Sequence, residues 1–218
     1  MDLQIALLLG QDGIVNGAVY GLMALALVLV FSVTRVIFIP QGEFVAFGAL
    51  SMAALQGGRT PATLWLLVAL GVMALAVEVW RWKRGATIDW RSAFTWCVAF
   101  PAIAAVLVLG LKPTSMTMQA VTTLVLIAPL GPLLYRLAYR PLADATVLML
   151  LIVSVALHGV LVGLGLFFFG AEGSRTTPFS DVRFDIGGIP VSGQSLVVVG
   201  VTLLLVIAMF WFLSLIHI

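Results

Sequence analysis

The sequence holds nine acidic residues, eleven Lys and Arg and two histidines in 218 residues, so any ionisable side chain inside an apolar run stands out. Glu43 is the first of these. It follows Pro40, Gln41 and Gly42, where a helix should begin. A carboxylate there meets unpaired backbone N–H groups and the positive end of the helix dipole. Two readings are open: a stabilising first-turn acid at a membrane surface, or a helix start that lines a solute path, since ionisable groups inside a membrane usually face cavities. The shortness of the helix favours the second. Asn16 and Tyr20 lie four apart on one helix face; an interhelical hydrogen bond is the favoured role, contact with the solute path the alternative. His158, with Ser154 one turn before it, suits a proton relay less well than a neutral histidine hydrogen-bonded to a neighbouring helix. Glu78 and Arg81, three apart at the end of a span, read as an interfacial pair.

Catalysis finds little support. The sequence has no G-x-x-x-x-G-K-[ST] phosphate loop, no H-E-x-x-H metal motif and no G-x-S-x-G nucleophile elbow. Cys97 is the only cysteine, which leaves neither a disulfide framework nor a multi-cysteine metal site. The second histidine, His217, sits at the very end. No catalytic residue, metal or cofactor is expected, and the chain is read as a non-enzyme. The net charge is +2, with cations scattered over loops and no dense patch for nucleic acid.

The elements that position these residues follow from composition. Hydrophobic residues make up 62% of the chain and charged ones 9%, with a mean hydropathy of +1.20; a soluble domain carries about a quarter charged residues. Several apolar runs reach the roughly 20 residues that cross about 30 Å of hydrocarbon, and their lack of alternation excludes a barrel. The fold class expected is all-α: a single polytopic transmembrane helix bundle of about seven spans over residues 1–218, one of them discontinuous. No removable signal peptide is apparent.

Leu3 to Leu9 reads as an interfacial lead-in and Gly13 to Val33 as the first span, where Gly13, Gly17 and Gly21 form a small-residue stripe for a neighbouring helix. Arg35 to Gly42 is irregular, because Val36, Ile37, Phe38 and Ile39 favour extended chain and Pro40 disfavours helix before it. Helix resumes from Glu43 to about Leu55, at roughly 20 Å too short to cross alone. Further spans are expected at Leu64–Trp80, Ala93–Leu111 with a kink at Pro101, Met116–Tyr135 loosened by Pro129 and Pro132, and Ala145–Phe169, where Gly159 and Gly163 suggest close packing. A polar loop, Glu172 to Gln194, suggests a small hairpin or irregular cap near Val182 to Ile189. The last span starts near Ser195. With the N-terminus outside, seven cations (Arg35, Arg81, Lys83, Arg84, Arg91, Arg136, Arg140) face the cytoplasm and four (Arg59, Lys112, Arg175, Arg183) face outward.

The stretch NGAVYGLMALALVLVFSVTRVIFIPQGEF, Asn16 to Phe44, resembles the first region of branched-chain amino-acid ABC transporter permeases of the LivH type. Asn16, Gly17, Tyr20, Leu22, Ala24 and Leu25 fit that family's N-G-x-x-Y-x-L-x-A-L pattern, with Ala26 where glycine is common. Gln41, Gly42, Glu43 and Phe44 fit its Gln-Gly-Glu-Phe segment, and Tyr139, Arg140, Pro141 and Leu142 its Y-R-P-L. The interval from Phe44 to Tyr139 is longer than the family's by about two spans' worth of residues, as in an extended variant. The resemblance implies an inner-membrane permease working with a second permease subunit, two cytoplasmic ATPase subunits and a periplasmic solute-binding protein. Leucine, isoleucine, valine or a related small solute would be the cargo. It places Asn16, Tyr20, Gln41, Gly42, Glu43 and Phe44 as substrate-path candidates. The family's ATPase-docking loop would lie beyond Ile218, so the native protein is expected to continue, with Ser214 to Ile218 of doubtful origin. A urea or amide permease of the same family, a stand-alone secondary transporter or channel, and a scaffold without a solute path are the alternatives.

Overall fold

The computed structural model describes residues 3–186 and 189–215; Ile216, His217 and Ile218, whose origin the sequence questions, lie outside them. Among the described residues six helices are long and apolar enough to cross a membrane: α1 (Leu3–Thr34), α3 (Thr63–Lys83), α4 (Trp90–Leu111), α5 (Met116–Leu142), α6 (Val147–Phe169) and α7 (Gly193–Leu215). A shorter helix, α2 (Gln41–Gln56), makes the seventh. The chain is an all-α polytopic membrane protein, as its composition requires. Contacts gather into two compact units where the sequence suggests one bundle: Met1–Arg35 with Thr177–Ile218, and Val36–Thr176.

In the first unit, α1 packs on α7 beside an antiparallel hairpin, β1 (Arg183–Ile186) and β2 (Ile189–Ser192), in which Arg183 pairs with Ser192 and Phe184 with Val191. The hairpin falls where the polar loop suggests one. Leu3 to Leu9 is not a separate lead-in but the first turns of α1, which runs unbroken for 32 residues. Nothing from Gly10 to Gly13 removes a backbone donor as proline would, so each glycine only weakens the helix. At the stripe of Gly13, Gly17 and Gly21, no atom of the described residues lies within 4 Å of an added Cβ. The groove between α1 and α7 is lined by Gly10, Gln11 and Ile14 instead, and Gln11 Nε2 donates to Ser195 Oγ at 3.4 Å.

The second unit has a core of Phe47 on α2, Leu64, Leu67 and Leu70 on α3, Cys97 and Ala104 on α4, Leu126, Leu130 and Leu133 on α5, and Leu161 on α6. Helix starts carry their own caps: the side chains of Asp89, Ser115 and Thr146 accept from the amides of Ser92, Met118 and Met149, each satisfying a donor the helix leaves free. The span expected at Ala145 therefore opens at Val147, and that expected at Ala93 opens at Trp90. The distortion anticipated at Pro101 takes the form of a wide π turn, Thr95–Ala99, just before it, with the Phe100 amide bonded to the Thr95 carbonyl five residues back. Proline lacks an amide hydrogen and crowds the carbonyl four residues earlier, here that of Cys97. That carbonyl faces α3 at Gly71, where an added Cβ would sit 2.6 Å from the Cys97 oxygen and 3.2 Å from Pro101 Cγ. Only glycine admits so close a crossing. Pro129 loosens α5 as anticipated, yet helix resumes and continues through another π turn, Tyr135–Tyr139, to Leu142, beyond the expected end at Tyr135. Among the described residues no atom lies within 4 Å of a Cβ added at Gly159 or Gly163 on α6.

Candidate functional site: the start of α2

Between α1 and α2 the chain is not helical from Arg35 to Phe38 and turns at Ile39 and Pro40. Arg35 takes the left-handed conformation, φ 57°, as its amide closes on the Phe31 carbonyl. Pro40 then stands before α2 and its carbonyl accepts from the Glu43 amide at 3.1 Å. Gln41, Gly42, Glu43 and Phe44 thus form the first turn of α2, which opens directly after Pro40, two residues before the expected start at Glu43. Gly42 leaves open space beside it. Phe44 packs edge-on against Phe38, ring centres 5.4 Å apart. Phe38 in turn lies 6.1 Å from the ring of Tyr139, whose hydroxyl shares a 2.7 Å hydrogen bond with Ser154 Oγ on α6.

Glu43 is mostly buried, and its Oε1 lies 2.8 Å from Nδ1 of His158 on α6. The approach is within ion-pair distance but not aligned as a straight hydrogen bond. Its second oxygen, Oε2, is buried and has no hydrogen-bond partner among the described residues. The histidine therefore faces a neighbouring helix as expected, but its neighbour is an acid. Ser154, one turn earlier, is engaged by Tyr139 instead.

This contact sets a depth. His158 is the twelfth of the 23 residues of α6, so about 16 Å of helix lies on either side of it at 1.5 Å per residue. If α6 crosses the hydrocarbon, α2 begins near the middle. Contacts along α2 agree: Phe47 packs 5.9 Å from the ring of Phe169 and within 3.8 Å of a Cβ built at Gly165, so α2 runs alongside α6 toward its C-terminal end. Ahead of α2, Val36 is buried with Tyr139 and Leu150 near the other end. Residues 36–40 cover at most about 18 Å when extended, and the 16 residues of α2 add about 24 Å. Together they suffice to cross roughly 30 Å of hydrocarbon, which is the geometry of a discontinuous span. Irregular backbone at that depth is tolerated only where protein or a water-filled cavity surrounds it. Asn16 and Tyr20 belong to the other unit, where both are exposed on α1; among the described residues neither makes the hydrogen bond expected to a neighbouring helix.

The sequence does not foresee a second polar centre. Glu78 does not pair with Arg81 at the surface; it is 1% exposed, and its Oε1 accepts from Nη1 of Arg136 at 2.8 Å and from Nη1 of Arg140. Arg136 also donates through Nη2 to Ser92 Oγ at 2.5 Å. One acid thus ties the end of α3 to the start of α4 and the end of α5. The only local signal is the pair of arginines four apart, like charges whose repulsion calls for an acid between them.

These features define the class: a multi-pass membrane protein with one interrupted span whose helical part opens on a buried acid. Comparison with protein-family models, curated proteins and solved structures finds no match.

Proposed function

We propose that this chain is the membrane-spanning permease subunit of an ABC importer in a bacterial inner membrane, with its N-terminus outside. It would carry branched-chain amino acids or a related small solute, energised by separate ATPase subunits. A second permease subunit and a periplasmic solute-binding protein complete the assembly in this reading. The observation that carries the proposal is the Glu43 carboxylate at the start of α2, beside a histidine at the centre of α6. The likeness of Asn16 to Phe44 and Tyr139 to Leu142 to LivH-type permeases supports it. An acceptor oxygen buried without a partner suits a solute that brings N–H donors, such as an amino-acid ammonium group or an amide, because an unmet acceptor at this depth is costly. The subunit supplies the path and no bond in the solute changes.

The test is uptake of radiolabelled leucine by vesicles containing the chain and its co-purifying partners. Uptake should require both the binding protein and ATP, and Glu43→Ala should lower it more than it lowers folded protein in the membrane. Uptake driven by an ion gradient alone refutes the ABC mechanism. It would favour a stand-alone secondary transporter, for which a titratable Glu43–His158 pair at mid-membrane also speaks. Unchanged uptake in Glu43→Ala leaves Glu43 a helix-start acid.

A further inference from the structure

We propose that the cavity beside Arg136 and Arg140 binds the phosphate of an anionic phospholipid headgroup. The cavity, of about 280 Å³, is lined by Asp89, Ser92, Trp96, Tyr135, Arg136 and Arg140. Arg136 is spent on Glu78 and Ser92. Arg140 commits only Nη1, to Glu78, and among the described residues its Nε and Nη2 have no hydrogen-bond partner. That free edge of the guanidinium is a planar fork suited to two phosphate oxygens.

Charge points the same way. Two arginines against Glu78 leave one positive charge at the cavity. Asp89 opposes it, but its Oδ1 already accepts from the amides of Arg91 and Ser92, facing the positive start of α4. The ends of α3 and α5 and the start of α4, with the turns that flank them, carry Arg81, Lys83, Arg84, Arg91, Arg136 and Arg140 against Glu78, Asp89 and Asp144. Six cations less three acids leaves an excess of three.

Depth selects a lipid over a free anion. Trp80, Trp82 and Trp90 are exposed at this end; Arg84 lies 3.7 Å from the Trp80 ring centre, and Trp82 meets Trp90 at 6.0 Å. Exposed tryptophans, one of them with a cation over its ring, mark the headgroup level, where lipid phosphates are concentrated and basic pockets between helices hold them. The inference rests on the membrane class alone and stands or falls apart from the importer reading.

The experiment is native mass spectrometry of the full chain purified in mixed micelles of phosphatidylglycerol and phosphatidylcholine. The chain should retain phosphatidylglycerol about fivefold over phosphatidylcholine, the effect of one basic residue at the membrane surface. R140Q removes both the fork and the net positive charge at the cavity while leaving Glu78 its Arg136 partner, and should bring the two lipids close to parity. R59Q, which removes a cation from the turn before the opposite end of α3, should change nothing. D89N keeps a capping side chain and removes the opposing charge, so it should raise phosphatidylglycerol retention; this variant decides the matter if R140Q does not fold. Equal retention by the wild type, full preference in R140Q, no gain in D89N, or complete displacement of the lipid by inorganic phosphate would each overturn the assignment.

Discussion

Replacing Glu78 by alanine tests how the second unit is held together. The carboxylate is 1% exposed and serves two guanidiniums. Removing one partner of a buried ion pair costs about 3–5 kcal/mol, because the charge left behind stays desolvated. The two arginines do not count equally. The Arg140 side chain is 31% exposed and can turn toward water, so its share falls to the 1 kcal/mol or less of a surface pair, about the level of experimental scatter. Arg136, at 13%, keeps only Ser92 and carries the main penalty. The expected loss for Glu78→Ala is therefore about 3 kcal/mol, at the lower end of the buried range. Glu78→Gln retains the volume and one acceptor but loses the charge, and should cost about half as much. Denaturant unfolding of the detergent-purified chain, followed by tryptophan fluorescence, measures both. A Glu78→Ala loss below about 0.5 kcal/mol, the range of ordinary surface substitutions, refutes the reasoning. So does an equal loss in Arg81→Ala, which would restore the surface pair that the spacing of Glu78 and Arg81 suggests.

Gly71→Ala should destabilise by about 1–3 kcal/mol, since its methyl would overlap the Cys97 carbonyl and force α3 and α4 apart. The same assay on Gly13→Ala and Gly159→Ala should show no loss and a gain approaching about 0.5–1 kcal/mol each, because open space surrounds both positions and alanine favours helix. The buried bond between Tyr139 and Ser154 should respond asymmetrically. Ser154→Ala strands a phenol hydroxyl at a cost of about 1–3 kcal/mol, whereas after Tyr139→Phe the serine can turn to its own helix backbone and the loss should stay near about 1 kcal/mol. A double-mutant cycle checks this: the pair changed together should cost less than the two single losses added.

Much of the fold was legible because lipid leaves the backbone few choices. A run of apolar residues as long as Val147–Phe169 must close its hydrogen bonds within itself, so its existence as a helix needs no neighbour. Pro40 and the Gly57–Gly58 pair bracket α2 through local backbone preferences alone, and the polar loop before Gly193 announces its hairpin by the same means. Boundaries were less legible. The end of α5 moved from Tyr135 to Leu142 because a π turn absorbs the disturbance that Pro129 and Pro132 introduce, and the first turns of α1 joined its span because glycine weakens a helix without stopping it.

By itself, then, the order of residues determined which segments are rods, which is broken, and that Glu43 stands at the break. Only tertiary structure decided who faces whom. Glu78 finds Arg136 and Arg140 across 58 and 62 residues, and Glu43 finds a histidine 115 positions on, since 158 less 43 is 115. A glycine predicts close approach only when another backbone arrives, as Cys97 does at Gly71 and, among the described residues, none does at Gly13. Helix formation in lipid is a local demand of the backbone, whereas pairing of sparse charges depends on how rods pack, which no spacing along one rod encodes.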